Sequence, residues 1–99
     1  MKLIMKYIYI NLLYAWNKFI NNNKNLSDIE IENKLQKSID ILKEDDTTPR
    51  LNSITHDEDD YLKLSKISYS STEDEFTLKL LFESDKSEGK FTYTFDKEG

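Results

Sequence analysis

The chain has no cysteine and no valine, a single proline, histidine, arginine and alanine, and two glycines in 99 residues. Without cysteine there is no disulfide scaffold, thiolate nucleophile or zinc–thiolate site. One imidazole excludes multi-histidine metal chemistry, and Arg50 alone cannot build a cluster of guanidinium forks. There is no glycine-rich phosphate loop, no G-x-S-x-G elbow and no H-E-x-x-H pair. These absences leave an active site short of a base, an electrophilic stabiliser and an orienting group in one place. The expectation is therefore a protein that is not an enzyme and uses no cofactor or metal.

What is present is a foldable chain. Hydrophobic residues make up 37% and twelve residues are aromatic, too many for disorder throughout. The length fits one small domain, 1–99. Lys, Ile, Asn, Tyr and Phe supply 42 residues. An AT-rich coding sequence produces that skew, which points to a low-GC bacterium or one of its phages and says nothing of fold. The net charge is −5, unevenly spread. Residues 1–43 hold seven basic and four acidic side chains, and residues 44–99 hold seven and fifteen. The acidic excess thus belongs to the second half.

The opening run to Ile20 has lysines and an apolar stretch but no small-residue cleavage site. Tyr and Trp crowd its centre, and Lys18 and the asparagines end it too early for a membrane span. At 100° per residue Ile4, Ile8, Leu12, Ala15 and Phe19 fall together, flanked by Met5, Tyr9, Trp16 and Ile20, which predicts an amphipathic helix. Tyr7, Ile10 and Tyr14 remain on its polar side. A terminal segment covering them is the simpler reading, and a dimer or partner contact the sharper one. Asn21–Asn25 reads as a polar linker. Ser27 and Glu30 form a capping box for a second helix, and Leu26 and Ile31 form its hydrophobic staple. Ile31, Leu35, Ile39 and Leu42 make the buried stripe, and Glu30–Lys34 is an oriented i,i+4 pair. Carboxylates at Glu44–Asp46 and the Thr48-Pro49 step place the stop near Lys43 or Glu44.

After Pro49 the period changes from 3.6 to 2. Phe76, Leu78, Leu80 and Phe82 alternate with Thr77, Lys79, Leu81 and Glu83, and Phe91, Tyr93 and Phe95 with polar residues, with Ser84–Gly89 as the hairpin loop. Tyr61–Ser70 is extended, but Leu62 and Leu64 are out of phase with Ile67 and Tyr69, which predicts a bulge near Ser65-Lys66. Leu51–Thr55 is either a short strand or a tether. The expected fold is α+β: two N-terminal helices on a three- to four-stranded antiparallel meander, a two-layer sandwich. Residues 1–43 form the helical half, 44–60 an acidic connection and 61–99 the sheet. The expected core is Phe76, Leu78, Leu80, Phe82, Phe91, Tyr93 and Phe95 against Ile8, Leu12, Trp16, Phe19, Ile31, Leu35, Ile39 and Leu42.

His56 lies beside Asp57–Asp60, but neighbours in an extended chain point apart, and the run lacks the glycine and distal glutamate of a calcium loop. A solvated acidic loop is the better reading. The acids group further through topology. A meander sets Asp57, Glu58, Asp59, Asp60 and Tyr61 beside the turn that carries Asp85 and Glu88. Glu73, Asp74 and Glu75 go to the opposite end with Asp96 and Glu98. Such surfaces steer basic partners and disfavour wrong ones. Lys2, Lys6, Lys18 and Lys24 are too weak a patch for direct nucleic-acid binding.

In overall character, small, cysteine-free, acidic and without catalytic motifs, the chain resembles the stoichiometric protein inhibitors of bacterial conflict. These include phage anti-CRISPR and anti-restriction proteins, and the immunity proteins that neutralise a toxin. Gly89-Lys90-Phe91 with Phe95-Asp96 is similar to the ending of some immunity proteins. The resemblance implies a non-enzymatic inhibitor in the cytoplasm of a bacterial host cell. Its partner is expected to be a basic nuclease or CRISPR effector that meets carboxylates in the place of phosphates. The first candidate interface is Asp57–Asp60, Tyr61, Asp85 and Glu88, and the second is Glu73–Glu75. The rivals are a toxin-immunity protein, and an oligomeric structural or adaptor protein pairing through Tyr7, Ile10 and Tyr14.

Overall fold

The computed structural model describes residues 2–52 and 61–97. Two helices, α1 (Lys2–Asn22) and α2 (Asp28–Glu44), precede four strands: β1 (Arg50–Asn52), β2 (Tyr61–Ser71), β3 (Glu75–Glu83) and β4 (Glu88–Asp96). The strands form one antiparallel sheet in the order β1-β2-β3-β4, and the helices pack on it as an α+β two-layer fold. The segment expected as a connection therefore includes a three-residue strand, with Leu51 opposite Leu62.

The asparagine run closes α1. The Asn21 amide donates to the Asn17 carbonyl at 3.1 Å and the Asn23 amide to the Phe19 carbonyl at 2.8 Å. Ser27 caps α2, its hydroxyl accepting from the Glu30 amide at 3.2 Å. The Glu30 carboxylate accepts from the same hydroxyl and forms no ion pair with Lys34, contrary to the i,i+4 expectation. At the other end Asp45 is the C-cap and Asp46 takes a left-handed φ of 54°. The Asp46 amide donates to the Lys43 carbonyl and the Thr47 amide to the Leu42 carbonyl, which is a Schellman closure made without glycine.

The two described hairpins also dispense with glycine. The Thr72 amide donates to the Glu75 carbonyl at 2.8 Å, and the Glu75 amide donates to the Thr72 hydroxyl at 3.2 Å. In the next turn the Ser84 hydroxyl accepts from the amides of Lys86 and Ser87. Hydroxyls turn the chain where a left-handed residue would otherwise be needed.

In β2 the register shifts by one residue between Leu64 and Lys66. That bulge is why the broken phase still gives one buried face: Leu62 and Leu64 before it and Ile67 and Tyr69 after it are all in the core. Phe76, Leu78, Leu80 and Phe82 of β3 are completely covered, and Trp16, Ile20, Ile31, Leu35 and Ile39 close over them. Trp16 fixes α1 to α2, its Nε1 donating to the Ser38 hydroxyl at 3.0 Å, which donates in turn to the Leu35 carbonyl.

Three core expectations need correction. On α1 the buried seam runs through Trp16 and Ile20, so Leu12 and Phe19 are only partly buried at its margin and Ala15, on the same predicted face, is exposed, while the side chain of Ile8 lies outside the described residues. Leu42 is only half-buried, one turn beyond Ile39 at the helix end. Phe91 is exposed and Tyr93 and Phe95 half-buried, because β4 is the outer strand and lies beyond the cover of the helices. Phe95 still stacks on Phe76 (ring centroids 5.3 Å) and Phe91 meets Phe82 edge-on (5.5 Å).

A ladder of side chains runs between α2 and β2. β1 pairs with β2 only as far as Lys63, so among the described residues the rest of that edge has no neighbouring strand. There Gln36 accepts from the Ile67 amide (3.1 Å) and donates to the Ser65 carbonyl (3.1 Å). Glu32 accepts from the Tyr69 amide (2.9 Å), and Asp28 accepts from the Ser71 hydroxyl (2.7 Å). Four residues of helix rise about 6 Å and two residues of strand about 6.7 Å. Positions 28, 32 and 36 therefore meet 71, 69 and 67 in step.

Candidate acidic surfaces at the two ends of the sheet

The antiparallel ladders fix which turns share an end. The first residues of β2 and the turn between β3 and β4 lie together, since Lys63 is opposite Glu83 and Glu83 opposite Glu88. Asp85 and Glu88 are exposed there, and the backbone of Tyr61 begins β2 at the same end. Asp57, Glu58, Asp59 and Asp60 lie outside the described residues, as does His56. The described part of this end is closely mixed in charge. Lys90 stands 3.9 Å from Glu88, Lys63 stands 3.8 Å from Asp46, and the Ser65 hydroxyl donates to Glu83 at 2.7 Å.

Among the described residues, the opposite end gathers more acids. Glu75 is directly opposite Asp96, and the Lys97 amide donates to the Asp74 carbonyl, carrying the β3–β4 ladder into the turn. Glu73, Asp74, Glu75 and Asp96 are all exposed. Asp28, the first residue of α2, joins them through its bond from Ser71. Between this turn and the α1–α2 junction lies a cavity of about 360 Å³. Ile20, Leu26, Ile31 and Tyr69 supply its apolar surface, and Asp28, Glu73 and Asp74 its carboxylates, with Lys24 and Lys97 at the same mouth. Burial pushes the Tyr69 hydroxyl above its ordinary pKa of 10.0; the neighbouring Ser71 hydroxyl acts the other way and the Asp28 charge adds to the rise. The cavity was not foreseeable from spacing, because its walls come from a helix junction and a hairpin about fifty residues apart. The partial signal was the acidic triplet itself.

The uncovered face of the sheet differs from both ends. Lys66, Leu81 and Lys90 lie in one cross-strand row and Ser68, Lys79 and Thr92 in the next, followed by Ser70, Thr77 and Thr94. No carboxylate interrupts these rows. The Thr77 and Thr94 hydroxyls meet at 3.1 Å. Among the described residues the second half thus separates into one acidic end, one end of mixed charge and a lysine- and hydroxyl-bearing middle.

On α1, Ile10 and Tyr14 are 49% and 69% exposed, while Tyr7 lies in the helix with its side chain outside the described set. No described helix is long and apolar enough to cross a membrane. No family model matches this chain, and neither a curated protein nor a solved structure does.

Proposed function

We propose that this protein is a non-enzymatic acidic inhibitor that acts in the cytoplasm of a bacterial host cell. Its target is a basic, nucleic-acid-handling protein of a defence system, and its role is of the phage anti-CRISPR or anti-restriction type. The observation that supports this reading is the segregation of charge. Asp28, Glu73 and Asp74 line a cavity with Ile20, Leu26, Ile31 and Tyr69 in its walls and Lys24 and Lys97 at its mouth, and Glu75 and Asp96 pair beside it at the same end of the sheet. A lysine or arginine of the target would lay its aliphatic stem on Ile20, Leu26 and Tyr69 and present its charge to the rim carboxylates, as it would to phosphates. The combined field speeds encounter with a basic surface and weakens with salt.

The test is affinity capture from a host lysate at low and high salt. Two charge-reversed proteins are run in parallel, Glu73→Lys/Asp74→Lys/Glu75→Lys and Asp57→Lys/Glu58→Lys/Asp59→Lys/Asp60→Lys. One basic protein is expected, released as salt rises and lost with the triple reversal. Loss only with the quadruple reversal moves the interface to the other end of the sheet. Capture indifferent to salt and to both reversals sinks the electrostatic reading.

A further inference from the structure

The edges of the sheet are treated unequally. On one side β1 is three residues long, and beyond it Glu32 and Gln36 occupy the amides of β2. On the other side β4 presents nine residues with no proline, no bulge and a single lysine. Natural edges of that length usually carry some device against pairing. The bond from the Lys97 amide to the Asp74 carbonyl sets the phase: odd-numbered residues of β4 point their backbone groups at β3. Glu88, Lys90, Thr92, Thr94 and Asp96 therefore direct their N–H and C=O groups outward. Beside this row, on the helix-bearing side, lie the incompletely covered rings of Phe91 (38% exposed), Tyr93 and Phe95.

We propose that β4 is a self-pairing edge: two copies of this chain join antiparallel through β4, about a twofold axis at Tyr93, into one sheet with four strands from each copy. Charge selects the register. Centred on Tyr93, each Lys90 faces the other copy's Asp96, Thr92 faces Thr94, and Phe91 faces Phe95 beside the paired Tyr93 rings. The outward backbone groups of Lys90, Thr92, Thr94 and Asp96 all find partners, and the aromatic pairs occupy the closer, non-hydrogen-bonded positions. Centring on Thr92 instead sets Glu88 against Asp96 twice and Phe95 against Gly89, so like charges oppose it. A slip of one residue puts the aromatic rings of the two copies on opposite faces. The occupant is a second copy because the strand complements itself in sign, shape and hydrogen-bond phase.

The proposal stands apart from the identity of any inhibited target and is tested on the full chain alone by sedimentation equilibrium. The unmodified protein is expected at twice its 11.8 kDa mass at hundreds of micromolar. Asp96→Lys sets lysine against lysine across the axis and is expected to weaken association at least about tenfold, a change of 1.4 kcal/mol. Folding should survive, since Asp96 is exposed and opposite Glu75 within the chain. Lys90→Asp alone should weaken association similarly, and Lys90→Asp/Asp96→Lys together should restore it to within a few-fold. Thr92→Pro removes an outward donor and leaves the β3 ladder intact, and should give a folded monomer by circular dichroism. A chain monomeric throughout that range overturns the proposal. So does a dimer that ignores Thr92→Pro, or a charge swap that fails to rescue while both single variants remain folded.

Discussion

Replacing Gln36 by alanine tests whether α2 substitutes for a missing strand. Gln36 is half-buried and makes two bonds to β2, from the Ile67 amide and to the Ser65 carbonyl, both at 3.1 Å. Truncation orphans both backbone groups. A typical net hydrogen bond contributes about 1 kcal/mol, and a fully buried orphan costs roughly 1–3. Water can reach part of this edge, so the lower end applies to each group. Alanine's better helix propensity returns a few tenths. The sum is about 2 kcal/mol, a fall in Tm of about 10 °C for a domain of this size. Urea unfolding followed by the fluorescence of Trp16, the single tryptophan and a buried one, reports it. Lys37→Ala, an exposed neighbour on the same helix, is the control and should stay within about 0.5 kcal/mol. Amide exchange adds a local readout: protection of Ile67 should collapse in Gln36→Ala while that of Tyr69, held by Glu32, persists. Equal stability of the two alanine variants, with Ile67 protection unchanged, would refute the idea that this helix closes the strand.

Three other outcomes are expected. Asp46→Gly should stabilise the protein by about 1 kcal/mol in the same urea assay. It relieves a left-handed non-glycine residue and removes a carboxylate from the negative end of α2, against a weak exposed pairing with Lys63 at 3.8 Å. Phe76→Ala should cost about 3–5 kcal/mol, since its ring is fully buried between Tyr69 and Phe95 and the gap cannot collapse easily. Tyr69→Phe concerns pH. The folded state holds the phenol proton more tightly than the unfolded chain does, so this contribution is complete below pH 10.0 and is lost as pH rises through the raised folded value. The variant should lose stability less steeply above pH 10 than the unmodified protein, and parallel slopes would contradict the assigned burial.

Periodicity and capping made most of the architecture legible. The Ser27 box, the stop at Glu44, the two alternating strands and the bulge follow from residue pattern, because each is a local conflict or agreement between side chains and backbone. What pattern could not supply is cover. Phe91 and Phe82 alternate identically in their strands, yet one is exposed and the other completely buried, since only the helices' placement distinguishes an outer strand from an inner one. Asp28, Glu32 and Gln36 carry no signal of their role in the sequence for the same reason. Their spacing is that of any i,i+4 series until a strand with vacant amides lies alongside. The acidic triplet at Glu73–Glu75 was legible as charge, while its cavity depended on the junction after Ile20 meeting that turn.

The bulge at Ser65 also decides how this protein can change length. Its extra residue is what allows even-numbered positions before it and odd-numbered positions after it to share the core. Deleting Ser65 alone would remove that extra residue and leave Leu62, Leu64, Ile67 and Tyr69 in strict alternation on the core face, at the cost of the Ser65 hydroxyl bond to Glu83 and the carbonyl that accepts from Gln36. Elsewhere in β2 a one-residue deletion turns the side chains on one side of it to the other face, and only a change of two residues preserves parity. For β2, the unit of tolerated insertion or deletion is a pair everywhere except at the bulge, where it is one.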